Sequence, residues 1–368
     1  MRDARIKLIV VAACCLWLLA PARAQETAAA GASAASAQTS GGNAAGGDAA
    51  RSPVVSKWKF KTGGSVYSTP LIAGGVVYFG SYDYYFYAAD AATGKQLWKF
   101  KTGGRILGSP ALSGGMVYFG SQDTRIYALD AATGKERWKF KAEYAVNSTP
   151  LVANGIVYCA GTVGLLYAIE AQTGRQVWQF SAEAGAPTSP LLAGSTLYVG
   201  SGRGLHAVVA ATGEKRWTAR TTRPVVSAPV VSGETIYFTS LDNQLHAIDA
   251  ATGRGKWSFK TGGGLPFSPA LAGGHVYFGG SDGNLYAVDA ATGQLKWKYA
   301  SEQGITSAPV VSGAHIHFGS LKGLYTLDAE TGQLKWSYTT ERIVTSTPAV
   351  SGGLIYFGGW DGNLYAVQ

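Results

Sequence analysis

Few side chains in this 368-residue chain are typed and spaced for chemistry. Four glutamates, Glu143, Glu183, Glu302 and Glu341, recur at one register of a repeated pattern. A calcium ion needs six to eight oxygens converging at one place, and separate loop carboxylates in solvent are the commoner result of such a register. His206, His246, His275, His315 and His317 lack metal-ligand spacing. Three of them stand where other copies of the pattern have tyrosine, so they read as structural histidines. No Ser-His-Asp arrangement, phosphate-binding loop or dinucleotide fingerprint occurs, and the glycine-rich stretches belong to turns. Catalytic, cofactor and metal residues are therefore not assigned.

Binding chemistry is better represented. Ser81-Tyr82-Asp83-Tyr84-Tyr85-Phe86 replaces the usual Ser-Asp-Gly-Asn-Leu turn with aromatics, and Tyr82, Tyr84 and Tyr85 are interaction candidates. Two turns are one residue short, at Gly202-Arg203-Gly204 and Leu321-Lys322-Gly323, and each exchanges an aspartate for a cation. Arg105, Arg223 and Arg342 fall in links expected on the same face. One aromatic patch with scattered cations suits a peptide or acidic partner. The plainer alternative has Phe86 and Tyr84 packing on neighbouring units and the cations serving solubility.

The elements that position these residues come from a repeat. Trp58, Trp98, Trp138, Trp178, Trp217, Trp257, Trp297 and Trp336 are separated by about 40 residues throughout. Each unit holds four short segments divided by turn signals: a proline segment, a run ending Tyr-Phe-Gly, a Leu-Tyr-Ala-(Leu/Val)-Asp segment, and the tryptophan segment. In Leu97-Trp98-Lys99-Phe100-Lys101 the alternation is that of a half-buried strand. Asp282-Gly283-Asn284 and Ala-Ala-Thr-Gly are tight-turn sequences. Four antiparallel strands per unit predict a β-propeller blade. The proline and Tyr-Ala segments occur eight times, but the chain stops before an eighth tryptophan strand, and Lys57-Trp58-Lys59-Phe60-Lys61 supplies that strand at the other end. The expectation is an all-β, eight-bladed propeller closed by its N-terminal strand. A linear solenoid would need atypical capping repeats at its ends, which this chain lacks.

Residues 1–24 read as a secretory signal, with Arg2, Arg5 and Lys7, an apolar run, and Ala22-Arg23-Ala24 as cleavage site. Val11-Ala12-Ala13-Cys14 offers a lipoprotein alternative, with an apolar stretch too short before the cysteine. Residues 25–53, rich in Ala, Gly and Ser, are expected to be a disordered tether that permits peripheral membrane association. Removing the signal takes Cys14 and Cys15 away and leaves Cys159 alone, expected to be buried and inert, with no intramolecular disulfide. The formal charge is +9. More than half of the basic residues left after cleavage flank the tryptophans, as Lys99, Lys101, Lys139 and Lys141 do, where lysine guards outer strands against edge pairing. Together with export this argues against nucleic acid as a partner.

The motif A-x-D-A-x-T-G-x-x-x-W, present from Ala88 to Trp98, resembles the pyrroloquinoline-quinone (PQQ) type propeller repeat, and the resemblance spans residues 54–368. It implies that the eight tryptophans dock against neighbouring blades, braced by Asp90, Asp130, Asp249, Asp289 and Asp328, with Glu170 a near match and Val209 a departure. One branch of the family is PQQ-dependent dehydrogenases, whose inserted loops carry a vicinal cysteine pair, an aspartate base and calcium ligands; this chain has none of these. The other is non-catalytic periplasmic propellers, including the outer-membrane assembly factor BamB. The resemblance implies an exported, monomeric interaction scaffold of the periplasm or beyond, with an envelope protein partner and no cofactor. A PQQ-dependent enzyme and a glycan-binding propeller are the alternatives.

Overall fold

The computed structural model describes residues 54–182, 185 and 188–368. Both N-terminal segments and Glu183 lie outside them. Among the described residues every regular element is a strand, and the strands form eight four-stranded antiparallel sheets. Blade one is Leu71–Ala73, Val76–Gly80, Tyr85–Asp90 and Gln96–Lys101, innermost to outermost. Six further blades repeat that order. Blade eight takes Ala349–Ser351, Leu354–Gly358 and Asn363–Val367 from the C-terminus and Ser56–Lys61 as its fourth strand, so the ring closes as expected. Val55 and Gln368 exchange backbone hydrogen bonds at the seam (3.1 and 3.0 Å).

The core lies between blades. Between blades one and two, for example, Phe86 stacks on Phe119 with centroids 4.1 Å apart, and Ile106 fills the gap beside them. Gly80 faces that isoleucine so closely that a β-carbon would sit 2.2 Å from its side chain. At the inner strands, Ser109, Ser189 and Ser268 each accept from the backbone N–H of the preceding blade, all at 2.9 Å.

The tryptophans fasten the outer part of each boundary. The Trp98 indole donates to the Ala131 carbonyl of blade two at 3.1 Å, and Tyr78 donates to the same oxygen at 3.2 Å. Trp58, Trp138, Trp178, Trp257 and Trp297 make the equivalent bond to Ala91, Ala171, Ala210, Ala290 and Ala329. Trp217 lies against Gly253 in the same way, but its indole nitrogen has no acceptor. A β-bulge precedes every one of these tryptophans: Ala88 pairs with Trp98 and Ala89 with Gln96, leaving Leu97 outside the ladder. The extra residue turns the indole toward the next blade. The turn beneath it is held by Asp90, whose carboxylate accepts from the Thr93 N–H (2.8 Å) and hydroxyl (2.7 Å). In blade four Val209 cannot do this, and its turn rests on backbone bonds from Thr212 and Gly213 to the Val209 carbonyl.

Trp336 is the exception that ring closure forces. The next blade has no Ala-Ala-Thr-Gly turn, because the chain ends lie there, and Trp336 packs instead in a cluster with Val54, Tyr338 and Val367. The tyrosine that would have shared the missing carbonyl is replaced in this blade by buried His317, which bonds the Thr326 hydroxyl at 2.8 Å.

Gly134 has φ 70° and a β-carbon there would lie 2.6 Å from the Trp98 ring, whereas Gly114, at φ 58°, has open space around it. Gly114→Ala should cost roughly 1–2 kcal/mol in chemical denaturation from left-handed backbone alone. Gly134→Ala should cost several times that, and equal losses would refute the docking role. Burial, with His315 adding to it, holds His317 down at about 4 from an ordinary 6.5. Between those values the unfolded chain binds a proton that the folded chain refuses, so stability falls as pH drops through that window, by at most about 3 kcal/mol. The fall should be smaller in His317→Phe, measured as the difference in unfolding free energy between pH 7 and pH 4.5.

Candidate interaction face

The hairpins between second and third strands and the links between blades share one face. Their contacts are direct: Tyr82 N–H donates to Ser65 O (3.0 Å), Gln122 to Arg105 O (2.9 Å) and Trp360 to Ile343 O (2.9 Å). In five hairpins an aspartate organises this layer. Asp83 accepts from Tyr85 N–H (3.0 Å), the Tyr87 phenol (2.7 Å) and Gly63 N–H (2.8 Å) in the link. Asp123, Asp282 and Asp361 repeat the phenol bond with Tyr127, Tyr286 and Tyr365, and Asp242 pairs with His246 at 3.0 Å. Burial and the adjacent carboxylate hold the Tyr87 and Tyr127 phenols well above their usual range. These carboxylates are committed to their own hairpins.

Where the hairpin aspartate is absent the histidine finds other partners. His206 in blade four is buried and bonds Ser201 (2.8 Å) and Thr218 (3.0 Å) through its two ring nitrogens.

The aromatic patch divides. Phe86 is fully buried on blade two. Tyr85 packs on the cluster between blades eight and one, with Lys99 over its ring at 4.6 Å. Tyr84 is 43% exposed at the hairpin tip, with φ 73°. The same tip position is glycine in blades three, six and eight, at Gly164, Gly283 and Gly362, all with positive φ. A bulky tyrosine in that conformation is a strained outlier. Tyr82 lies inward of it, stacked on Tyr67 at 4.5 Å and 17° and covered by the Arg105 guanidinium at 5.0 Å. Tyr67 in turn meets Trp360 at 6.1 Å.

Trp360, Tyr67, Tyr82 and Arg105 thus form a continuous half-buried ridge over blades eight, one and two. Of the sequence candidates, the structure brings Tyr82 and Arg105 into it. Trp360 and Tyr67 were missed. Their signal lay in the repeat: Trp360 is a tryptophan off the 40-residue ladder, at the hairpin position of Tyr82, where other copies have Gln122, Thr162, Leu241 or Ser281. The remaining cations lie elsewhere on the face. Arg203 lines a cleft in blade four, Arg223 one at the link to blade five, and exposed Lys322 and Arg342 stand at blade seven and its link.

A quinone and calcium, which the resemblance implies for one branch, call for vicinal thiols and converging carboxylates. Cys159 is buried, 3.5 Å from the Ser148 hydroxyl, and burial pushes its thiol up to about 12. Glu143, Glu302 and Glu341 are exposed on separate links. Among the described residues no three His, Cys, Asp or Glu side chains gather to hold a metal. This donor set does not fit the pair, and no step is derived through it.

An eight-bladed ring whose tryptophans dock on Thr-Gly turns of the next blade, with short loops and a variable face, is a PQQ-type repeat propeller. The chain belongs to the family described as outer membrane protein assembly factor BamB, which matches residues 55–109, 87–204 and 162–368. No curated protein matches it in sequence. Among solved structures, BamB from Moraxella catarrhalis is 21% identical over 86% of this chain and 100% of its own, with a TM-score of 0.75. The quinohemoprotein alcohol dehydrogenase of Comamonas testosteroni is 16% identical over 85% and 76%, with a TM-score of 0.76. The computationally designed Ika8 protein, 16% identical over 83% and 96%, reaches 0.75. At these identities the likeness is one of fold.

Tyr84→Gly is expected to leave denaturant stability unchanged or raise it by up to about 1 kcal/mol, because glycine relieves the left-handed backbone at some cost in chain entropy. A loss larger than that would mean the exposed ring is needed by the fold.

Proposed function

We propose that this protein is an exported, non-catalytic interaction scaffold of the bacterial cell envelope that docks a protein partner on its hairpin face, within or beside outer-membrane protein assembly. The observation that carries the reading is the Trp360–Tyr67–Tyr82–Arg105 ridge. Aromatic side chains and arginine are the types that dominate binding energy at protein interfaces, and rigid rings lose little entropy on docking. The fold does not require them, since other blades close without aromatics at the equivalent positions. Membership of the BamB family supports an envelope partner. The signal-like residues 1–24 support export, and Cys14 remains a lesser candidate for lipid anchoring. The first and last strands meet at the Val55–Gln368 seam, at the end of the blades opposite the hairpins. A single ring closed by its own first strand needs no second copy to complete it.

A photo-crosslinking amino acid placed at Tyr84 in cells should give a discrete adduct with an envelope protein, identified by mass spectrometry. The same probe at Leu97, exposed on the outer flank, should give none. Tyr82→Ala should abolish the Tyr84 adduct. Adducts of equal yield at both positions, or none at either, would defeat the proposal.

A further inference from the structure

Blades four and five lie across the ring from the ridge, and three arginines converge there. Arg203 takes the place of the hairpin aspartate of blade four, Arg220 ends the outermost strand Lys215–Arg220, and Arg223 lies in the link that follows. Arg203 and Arg220 line a cleft of about 370 Å³ with Gly202 and Thr221. Arg223 lines a neighbouring cleft of about 500 Å³ with Thr222, Asn243 and Ser281, so the two meet at Thr221–Thr222. All three arginines are exposed, and none pairs with a carboxylate among the described residues. Among the described residues the acid that also lines the second cleft, Asp242, has a side chain only 3% exposed and bound to His246 at 3.0 Å and Gln244 N–H at 3.1 Å, so its charge is spoken for.

The shortened hairpin does not itself demand this cluster. Gly204 at φ 137° allows the tight turn, as Gly323 at φ 149° does in blade seven, where a β-carbon would strike the neighbouring strand's carbonyl in both cases. Blade seven carries Lys322 and Arg342 around the same turn but Thr339 where blade four has Arg220. The third cation is therefore an addition to the fold. Concave walls lined by one sign of charge concentrate potential, and the guanidinium fork matches a carboxylate with two parallel hydrogen bonds.

We propose that this double cleft binds an acidic, extended peptide segment of the partner, with carboxylates seated between Arg203 and Arg220 and against Arg223. The inference rests on the scaffold reading and adds the chemistry of what is bound. Two adjoining clefts of this size have room for successive side chains of an extended peptide. An anionic lipid surface would first meet the convex girdle of Lys99, Lys101, Lys139 and Lys141 on the outer strands.

The test uses the mature protein and a fluorescein-labelled poly-glutamate peptide in fluorescence anisotropy. Binding should weaken with added salt and fall by about tenfold or more in Arg203→Ser/Arg220→Ser, the loss expected for one charge-assisted bond of about 1.4 kcal/mol. Lys139→Ser/Lys141→Ser should bind as the parent does. The substituted side chains are exposed, and unchanged thermal unfolding verifies that both variants fold. Undetectable peptide binding, or binding equally reduced by the girdle variant, overturns the proposal. Arginine-dependent binding to phosphatidylglycerol vesicles without peptide binding overturns it in favour of a membrane. The Tyr84 adduct separates the two readings: if it persists while the peptide fails, only the acidic-segment assignment falls, and if both vanish the scaffold reading falls with it.

Discussion

The structure depends on one repeated fastening, an indole N–H reaching across a blade boundary to an alanine carbonyl while the ring covers a glycine. Each half sets a requirement on the other blade. The glycine must lack a β-carbon, since one would sit 2.6–2.8 Å from the indole in all seven sockets. The tryptophan must be turned out of its own sheet, which the bulge before it achieves. The carbonyl takes two donors in most boundaries, the indole and a phenol from the second strand, so outer and middle strands of one blade are tied to the same atom of the next. Buried acceptors satisfied in this way avoid the desolvation cost of an unpaired polar group. The eighth boundary cannot be fastened so. There the polypeptide itself forms the seam, and His317 and Trp336 are adapted to a neighbour without a socket.

Because fastening is concentrated at the turn face and in the interblade core, the opposite face is released from most structural duties. Its remaining duty is hairpin closure, met by aspartate and a phenol or histidine four residues on. Where that pair is kept, as with Asp83 and Tyr87, the residue just before the aspartate can vary, and Tyr82 and Trp360 occupy that freedom. Where it is lost, as in blade four, Ser201 and Thr218 take over the histidine and the vacated position accepts Arg203. Aromatic and cationic surfaces arise from these two routes on opposite arcs of the ring.

Much of this was legible before any fold was drawn. The spacing of the tryptophans, the proline and Tyr-Phe-Gly segments and the missing eighth Thr-Gly turn specified blade number and closure. Val209 was visible as a departure from the brace. The one-residue deletions located Arg203 and Lys322. Arg220 was not visible as a partner of Arg203, because seventeen positions separate them along the chain and only the pairing of Gly204 with Arg220 brings them together. The bulges were hidden as well, since a bulge keeps the alternation on either side of it and shifts only the register.

The sequence alone determined the unit, its number and the way the ring closes, because periodic side-chain patterning and turn chemistry are local properties that repetition amplifies. It also marked which hairpins differ. Only the tertiary structure decided which of those differences meet. Tyr67 and Tyr82 belong to a link and a hairpin, Trp360 to a hairpin almost 300 residues away and Arg105 to the following link, and ring closure sets Trp360 against Tyr67. It decided too that Tyr85 faces the core while Tyr84 faces solvent. The physical reason is that in a closed ring a side chain's neighbours are set by the adjoining blade, and contact across a blade boundary leaves no mark in the spacing of a single strand.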